Sequence, residues 1–281
     1  MLSYRHAFHA GNHADVLKHF VLFEVLRYFN QKDKPYGYID THAGAGRYDL
    51  QTKAASQNRE YAQGIGRLWE ATGLPRPLAE FVDVLRGLNR GPELRVYPGS
   101  PLLAHALMRA GDRLQLFEMH PADLGALRAR FKAAGRQVQV RGEDGFAGLL
   151  GVLPPLTRRA IVLIDPPYEV KTDYRRVEEV LKGALKRFAQ GTYLVWYPLL
   201  RRPGAQVLRE RLRRLGVGAW LQVELQVQRT PPGGAGMYGS GMFVINPPWN
   251  LPEHLAAVMP TLRDTLALDA GAAFTLDQHI P

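Results

Sequence analysis

The tetrad Asp165-Pro166-Pro167-Tyr168 is the segment of this chain best equipped for chemistry. An exocyclic amine conjugated to an aromatic ring, such as adenine N6, is a poor nucleophile. It reacts when two acceptors orient its hydrogens and draw the lone pair out of conjugation. The Asp165 carboxylate offers one acceptor and the Pro166 carbonyl the other. The prolines stiffen the turn and bring no competing N–H. Tyr168 supplies a flat ring for a base lifted out of its stack.

Three further signals each follow an apolar run. His42-Ala43-Gly44-Ala45-Gly46 is a small-residue loop that lets backbone approach a ligand closely. Its spacing fits neither the Walker phosphate loop nor the dinucleotide fingerprint, and an ordinary tight turn explains it alone equally well. Glu118 ends a second run, where a carboxylate accepts hydrogen bonds from a ribose diol. A solvated glutamate is the bland alternative, and the pairing with the glycine loop favours the ribose. Asp144-Gly145 ends a third, fit to receive a cofactor's adenine amine or to make a surface turn.

A second tetrad, Asn246-Pro247-Pro248-Trp249, competes for the role of the first. Its place after the last strand, far along the chain from the glycine loop, argues against it, and Trp249 reads as a packing residue. His6, His9, His13 and His19 could suggest a metal site. No cysteine and few suitably spaced carboxylates accompany them, so no metal is expected. Lys18 reads either as a phosphate contact or as a solvated helix residue.

The elements that would position these groups alternate between β-like and helical patterns, which predicts a parallel sheet covered on both faces. Strands are expected at 36–40, 113–118, 137–140, 160–164, 192–197, 219–228 and 242–246. The last two form an antiparallel hairpin around the glycine-rich loop 231–241. Ala160–Ile164, apolar throughout, reads as the central strand. Helices are expected at 13–30, with Asn12 in the N-cap region, and at 60–72, 77–88, 100–109, 123–134, 175–189 and 205–215. The stretch 51–98 reads as a small helical insertion within a single domain spanning 1–281. In such sheets ligands gather at the carboxyl ends of strands, where every polar signal above falls.

The chain has 281 residues and a formal net charge of +10, which points to a polyanionic partner. No run of apolar residues is long enough to span a bilayer, and the N-terminus lacks a signal peptide, so a cytoplasmic protein without membrane contact is expected. A monomer is the default.

Together these motifs resemble the Rossmann-like class I methyltransferases, with an α/β fold, a seven-stranded, mostly parallel sheet and a C-terminal antiparallel hairpin. The block from Tyr4 to His19 (YRHAFHAGNHADVLKH) narrows the likeness to the RlmJ family of 23S ribosomal RNA adenine-N6 methyltransferases. Asp40–Tyr48, Tyr97–Pro101, Ile164–Glu169, Lys171–Tyr174 and Ile245–Trp249 extend it almost end to end. The resemblance implies S-adenosylmethionine as cofactor, held by His19, His42, Gly44, Ser100, Glu118, Asp144, Gly145 and Asp165. It implies Asp165 as catalytic acceptor, aided by Pro166 and Tyr168, with His6 and Lys18 near the reaction centre. Tyr4 and Tyr168 would contact the substrate, 23S rRNA in a protein-free or partly assembled state. Two departures from the family pattern stand out: the segment before Asp144 is one residue longer, and the 231–241 loop differs in composition. Alternative readings are methylation of another RNA, of DNA or of protein glutamine, and an RNA-binding protein without catalysis.

Overall fold

The computed structural model describes residues 6–89, 91–201, 203–231, 233 and 236–281. Helix α1 (His13–Asn30) starts at Asn12, whose side-chain oxygen accepts the N–H groups of Ala14 and Asp15. Helix and cap agree with the expected limits, and α1 is buried over most of its circumference. Strand β1 (Gly37–Asp40) follows. The next stretch holds β2 (Arg47–Asp49), α2 (Lys53–Asn58), α3 (Glu60–Gln63), α4 (Ile65–Trp69), α5 (Arg76–Gly87) and β3 (Val96–Pro98). The continuous helix expected over 60–72 is broken at Gly64, which leaves helical dihedrals. Strands β2 and β3 pair antiparallel as a separate ribbon.

The chain then alternates: α6 (Ser100–Leu107), β4 (Arg113–Phe117), α7 (Pro121–Phe131), β5 (Val138–Arg141), α8 (Gly145–Val152), β6 (Ala160–Ile164) and α9 (Asp173–Arg187). It continues through β7 (Thr192–Leu199), α10 (Pro203–Arg213), β8 (Trp220–Gln226), β9 (Gly239–Ile245), α11 (Leu251–Leu266) and β10 (Ala273–His279). The main sheet has the order β10-β8-β9-β7-β6-β1-β4-β5. The five strands from β7 to β5 are parallel to one another, and β9, β8 and β10 join by antiparallel pairing. This is a Rossmann-like mixed sheet with the expected antiparallel hairpin.

The sheet has eight strands, where seven are read from the sequence. The extra one, β10, is an edge strand on which only Phe274 and Leu276 are even half-buried, so its hydrophobic alternation is weak. Helix α8 also escapes the sequence pattern: Asp144-Gly145 reads as a cofactor contact or a surface turn, and in the structure it starts a helix. Separate apolar clusters cover the two sheet faces. One joins α1, α5, α6 and α11; the other joins α8, α9 and α10. Strand β1 pairs with β4 on one side and β6 on the other, so the direction of chain progression switches at β1. A crevice opens at the carboxyl ends of strands around such a switch.

Candidate active site

That crevice is a cavity of about 590 Å³, within the range of small-molecule sites. His6, Lys18, His19, His42, Gly44, Ser100, Glu118, Asp144, Gly145, Asp165, Pro166 and Tyr168 all line it. Tyr4 lies outside the described residues.

The glycine loop leaves β1 and doubles back beneath Glu118. Gly44 has φ +59°, and a Cβ there would lie 2.2 Å from the Tyr48 hydroxyl, so only glycine fits. Glu118 Oε2 accepts the Gly44 N–H at 2.8 Å, and Oε1 accepts the His120 N–H at 2.6 Å. The carboxylate therefore shapes both loops, and each oxygen keeps a further lone pair for a ligand. Burial pushes its pKa above the usual carboxylate range. Gly145 is equally obligatory: a Cβ would meet the Thr41 carbonyl at 1.8 Å. Asp144 caps α8 by accepting the Phe146 and Ala147 N–H groups on Oδ1, and pairs with Arg176 through Oδ2. Burial opposes ionisation there, but the Arg176 and backbone hydrogen bonds prevail and lower the pKa. The Arg176 guanidinium lies 4.4 Å from the centre of the Phe146 ring.

Two buried histidines face the same space. Burial lowers the pKa of His19 to about 3 and that of His42 to about 4, so both are neutral. His19 Nδ1 shares a 2.8 Å hydrogen bond with the Tyr97 hydroxyl, while Nε2 is buried without a partner among the described residues. His42 Nδ1 lies 2.8 Å from the Thr41 hydroxyl. The Ser100 hydroxyl donates to Asp40 Oδ2 at 2.7 Å, as does that of Tyr38. Burial raises Asp40 to about 6.

The proline tetrad leaves β6, the strand beside β1. Lys18 Nζ donates to Asp165 Oδ2 at 2.6 Å and reaches Asp15 Oδ1 at 2.8 Å. Lys18 is only 5% exposed, and two carboxylates hold its pKa above the ordinary value despite the opposing effect of burial. Among the described residues nothing donates to Asp165 Oδ1 or to the Pro166 carbonyl. Two neighbouring acceptors are therefore open, as the amine chemistry requires.

Tyr168, expected to offer its ring to a base lifted out of its stack, lines the cavity. It is 3% exposed, its ring packs against Tyr174 and Trp196, and its hydroxyl donates to the Trp196 carbonyl at 2.7 Å. It forms the cavity wall. The second tetrad sits at the opposite end of the sheet, because β9 runs against β7 and its last residue, Ile245, lies beside Tyr193 at the start of β7. Trp249, expected to pack, is instead 71% exposed.

Sequence reasoning passed over Asp15, Asp40, Arg176 and Trp196. Asp40 had a signal, an acid at the exit of the first strand. Trp196 had none, since in the sequence it is one more apolar residue of a buried strand. Among the described residues no group of three or more His, Cys, Asp or Glu is disposed to hold a metal. No helix there is long and apolar enough to cross a membrane. Carboxylates outnumber cations around the cavity, although the chain as a whole carries +10. Such a lining suits a cationic ligand and disfavours a polyphosphate.

The model of the family described as "Ribosomal RNA large subunit methyltransferase D, RlmJ" matches residues 33–276. The chain is 47% identical over 281 residues to Ribosomal RNA large subunit methyltransferase J of Escherichia coli K12, covering 100% of both. It is 44% identical over 282 residues to the protein of the same name from Haemophilus influenzae, again covering 100% of both. A crystal structure of a Legionella pneumophila protein superposes with a TM-score of 0.88 at 34% identity, covering 96% of this chain and 98% of that one.

Proposed function

Since the chain belongs to the RlmJ family of large-subunit ribosomal RNA methyltransferases, we propose that it transfers a methyl group from S-adenosylmethionine to the N6 amine of an adenine in 23S rRNA. The observation that carries this reading is the pair of open acceptors, Asp165 Oδ1 and the Pro166 carbonyl, at the rim of a cavity rich in carboxylates.

The donor set fits S-adenosylmethionine. Glu118 retains lone pairs for the ribose hydroxyls, and the glycine at position 44 leaves room for close approach. Asp144 and the start of α8 at Gly145 stand where the cofactor's adenine would lie. His19, His42, Ser100 and Asp165 line the remaining wall, and the excess of carboxylates favours a sulfonium-bearing ligand. When bound, the cofactor supplies an electrophilic methyl group.

This chain's residues supply position. A target adenine must leave its stack to enter the cavity. Asp165 Oδ1 and the Pro166 carbonyl would each accept a hydrogen bond from the amine, which turns its lone pair toward the methyl group. Holding two reactants in line is worth roughly 7–11 kcal/mol. Lys18 on Oδ2 fixes the plane of the Asp165 carboxylate. No strong base is needed before transfer, because the methylated nitrogen is acidic and Asp165 Oδ1 is at hand to accept its proton. Tyr168 and Trp196 wall the space that the base would fill. The RNA phosphates stay outside, where the basic surface of the chain can meet them.

The test is incubation of the protein with protein-free 23S rRNA and labelled S-adenosylmethionine, followed by nucleoside mass spectrometry. N6-methyladenosine is expected as the only new product. Label in any other nucleoside would remove the adenine assignment, and unlabelled RNA would remove rRNA as the substrate.

A further inference from the structure

Asp15 is a buried carboxylate to which the chemistry above assigns nothing. It occupies the third position of α1 and accepts the Gly11 N–H on Oδ2 at 2.9 Å, which a helix cap alone would explain. A cap works at the surface, however, and Asp15 is only 2% exposed. Burying a carboxylate is costly unless charged partners offset it. Asp15 has one in Lys18, whose Nζ lies 2.8 Å from Oδ1, and His6 Nε2 adds a hydrogen bond to Oδ2 at 2.8 Å. His6 and Lys18 overcome the effect of burial and hold its pKa well below the usual carboxylate range.

We propose that Asp15 is a positioning residue that fixes the Lys18 ammonium against one oxygen of Asp165 and so keeps the other oxygen open for the substrate amine. The proposal rests on the adenine-N6 reading given above. A lysine paired with Asp165 alone has a flexible four-carbon stem and can bridge both carboxylate oxygens, covering the acceptor the amine needs. Anchored also to Asp15, Nζ has two fixed neighbours and reaches only Oδ2. Asp15 is itself saturated by Lys18, His6 and Gly11 and acts through Lys18, not on the substrate.

The test compares Asp15→Asn, Lys18→Met and the double variant in methyl transfer to protein-free 23S rRNA, with cofactor affinity measured by calorimetry. Asp15→Asn is expected to lower kcat about 30-fold while the KM for RNA and the Kd for S-adenosylmethionine stay within about threefold. The double variant should lie within about twofold of Lys18→Met, because a residue acting through another adds nothing once that other is gone. A kcat for Asp15→Asn within twofold of wild type, or losses that multiply in the double variant, overturns the proposal. If Asp15→Asn does not fold, His6→Gln takes its place. That variant removes one restraint on Asp15 and leaves the buried pair. It should slow transfer about fivefold, and not multiplicatively with Lys18→Met; a multiplicative loss overturns the proposal. Failure of the wild-type protein to methylate rRNA would remove the underlying reading and this proposal with it, whereas a result confined to the variants bears on Asp15 alone.

Discussion

Two proline tetrads of nearly the same composition sit at opposite ends of one sheet and do different work. In the first, the residue forced into the left-handed region is Tyr168, with φ +52°. A bulky side chain adopts that conformation at a cost, and such strain is characteristic of functional sites. Its carboxylate, Asp165, has one oxygen held by a buried lysine and one open. In the second, the left-handed residue is Asn246 itself, also at φ +52°, and asparagine tolerates that region well. Its amide donates to the carbonyls of Ala189 and Gly191, both at 2.8 Å, and its own carbonyl accepts the Thr192 hydroxyl at 3.0 Å. The second tetrad is a brace that ties the end of β9 to the turn entering β7. Equal motifs thus become a strained, half-satisfied site and a relaxed, satisfied joint.

The largest effect that sharpens this contrast is expected from Asp165→Ala. Loss of the orienting acceptor should lower kcat by about a thousandfold or more, on the order of 4 kcal/mol, with cofactor binding still measurable. Turnover near that of wild type would erase the distinction between the tetrads.

The end of the sheet that carries the first tetrad should also be the acid-sensitive end. His19 is buried neutral, with a folded pKa of about 3 against an ordinary 6.5. The unfolded chain therefore takes up the proton first. The contribution of His19 to stability is complete above pH 6.5 and is lost as pH falls from there toward 3, by about 5 kcal/mol at most. Denaturant melts of wild type and His19→Gln should diverge over that window, and parallel curves would refute the linkage.

Asn246→Ala should leave methyl transfer within about twofold while destabilising the fold by about 2 kcal/mol, from two lost hydrogen bonds and a less tolerant left-handed residue. A large fall in kcat without a fall in Tm would make the second tetrad catalytic after all. Trp249→Ala, at an exposed position, should change stability by less than about 0.5 kcal/mol.

Much of this was legible before any coordinates. α1 was bounded correctly because its cap and apolar face are local signals. β6 was recognised because a doubly covered strand is apolar at every position. The second tetrad was set aside on chain position alone, and the antiparallel run of β9 supplies the geometric reason. β10 was missed because an edge strand buries little and shows little pattern. Trp249 was misjudged because an aromatic residue between a proline pair and a helix looks like core, and only neighbours decide whether it is.

The amino-acid order by itself determined the strand and helix periods, the glycines without which two loops cannot close, and the residue types able to orient an amine. These depend on contacts a few residues apart. Tertiary structure alone decided that Lys18 would reach Asp165 across 147 positions of chain, that Asp15 would lie buried beside it, and that Tyr168 would form a wall. Burial and charge pairing between distant segments exist only once the sheet has brought the ends of β1 and β6 together, and no local pattern encodes which of two equal motifs will arrive there.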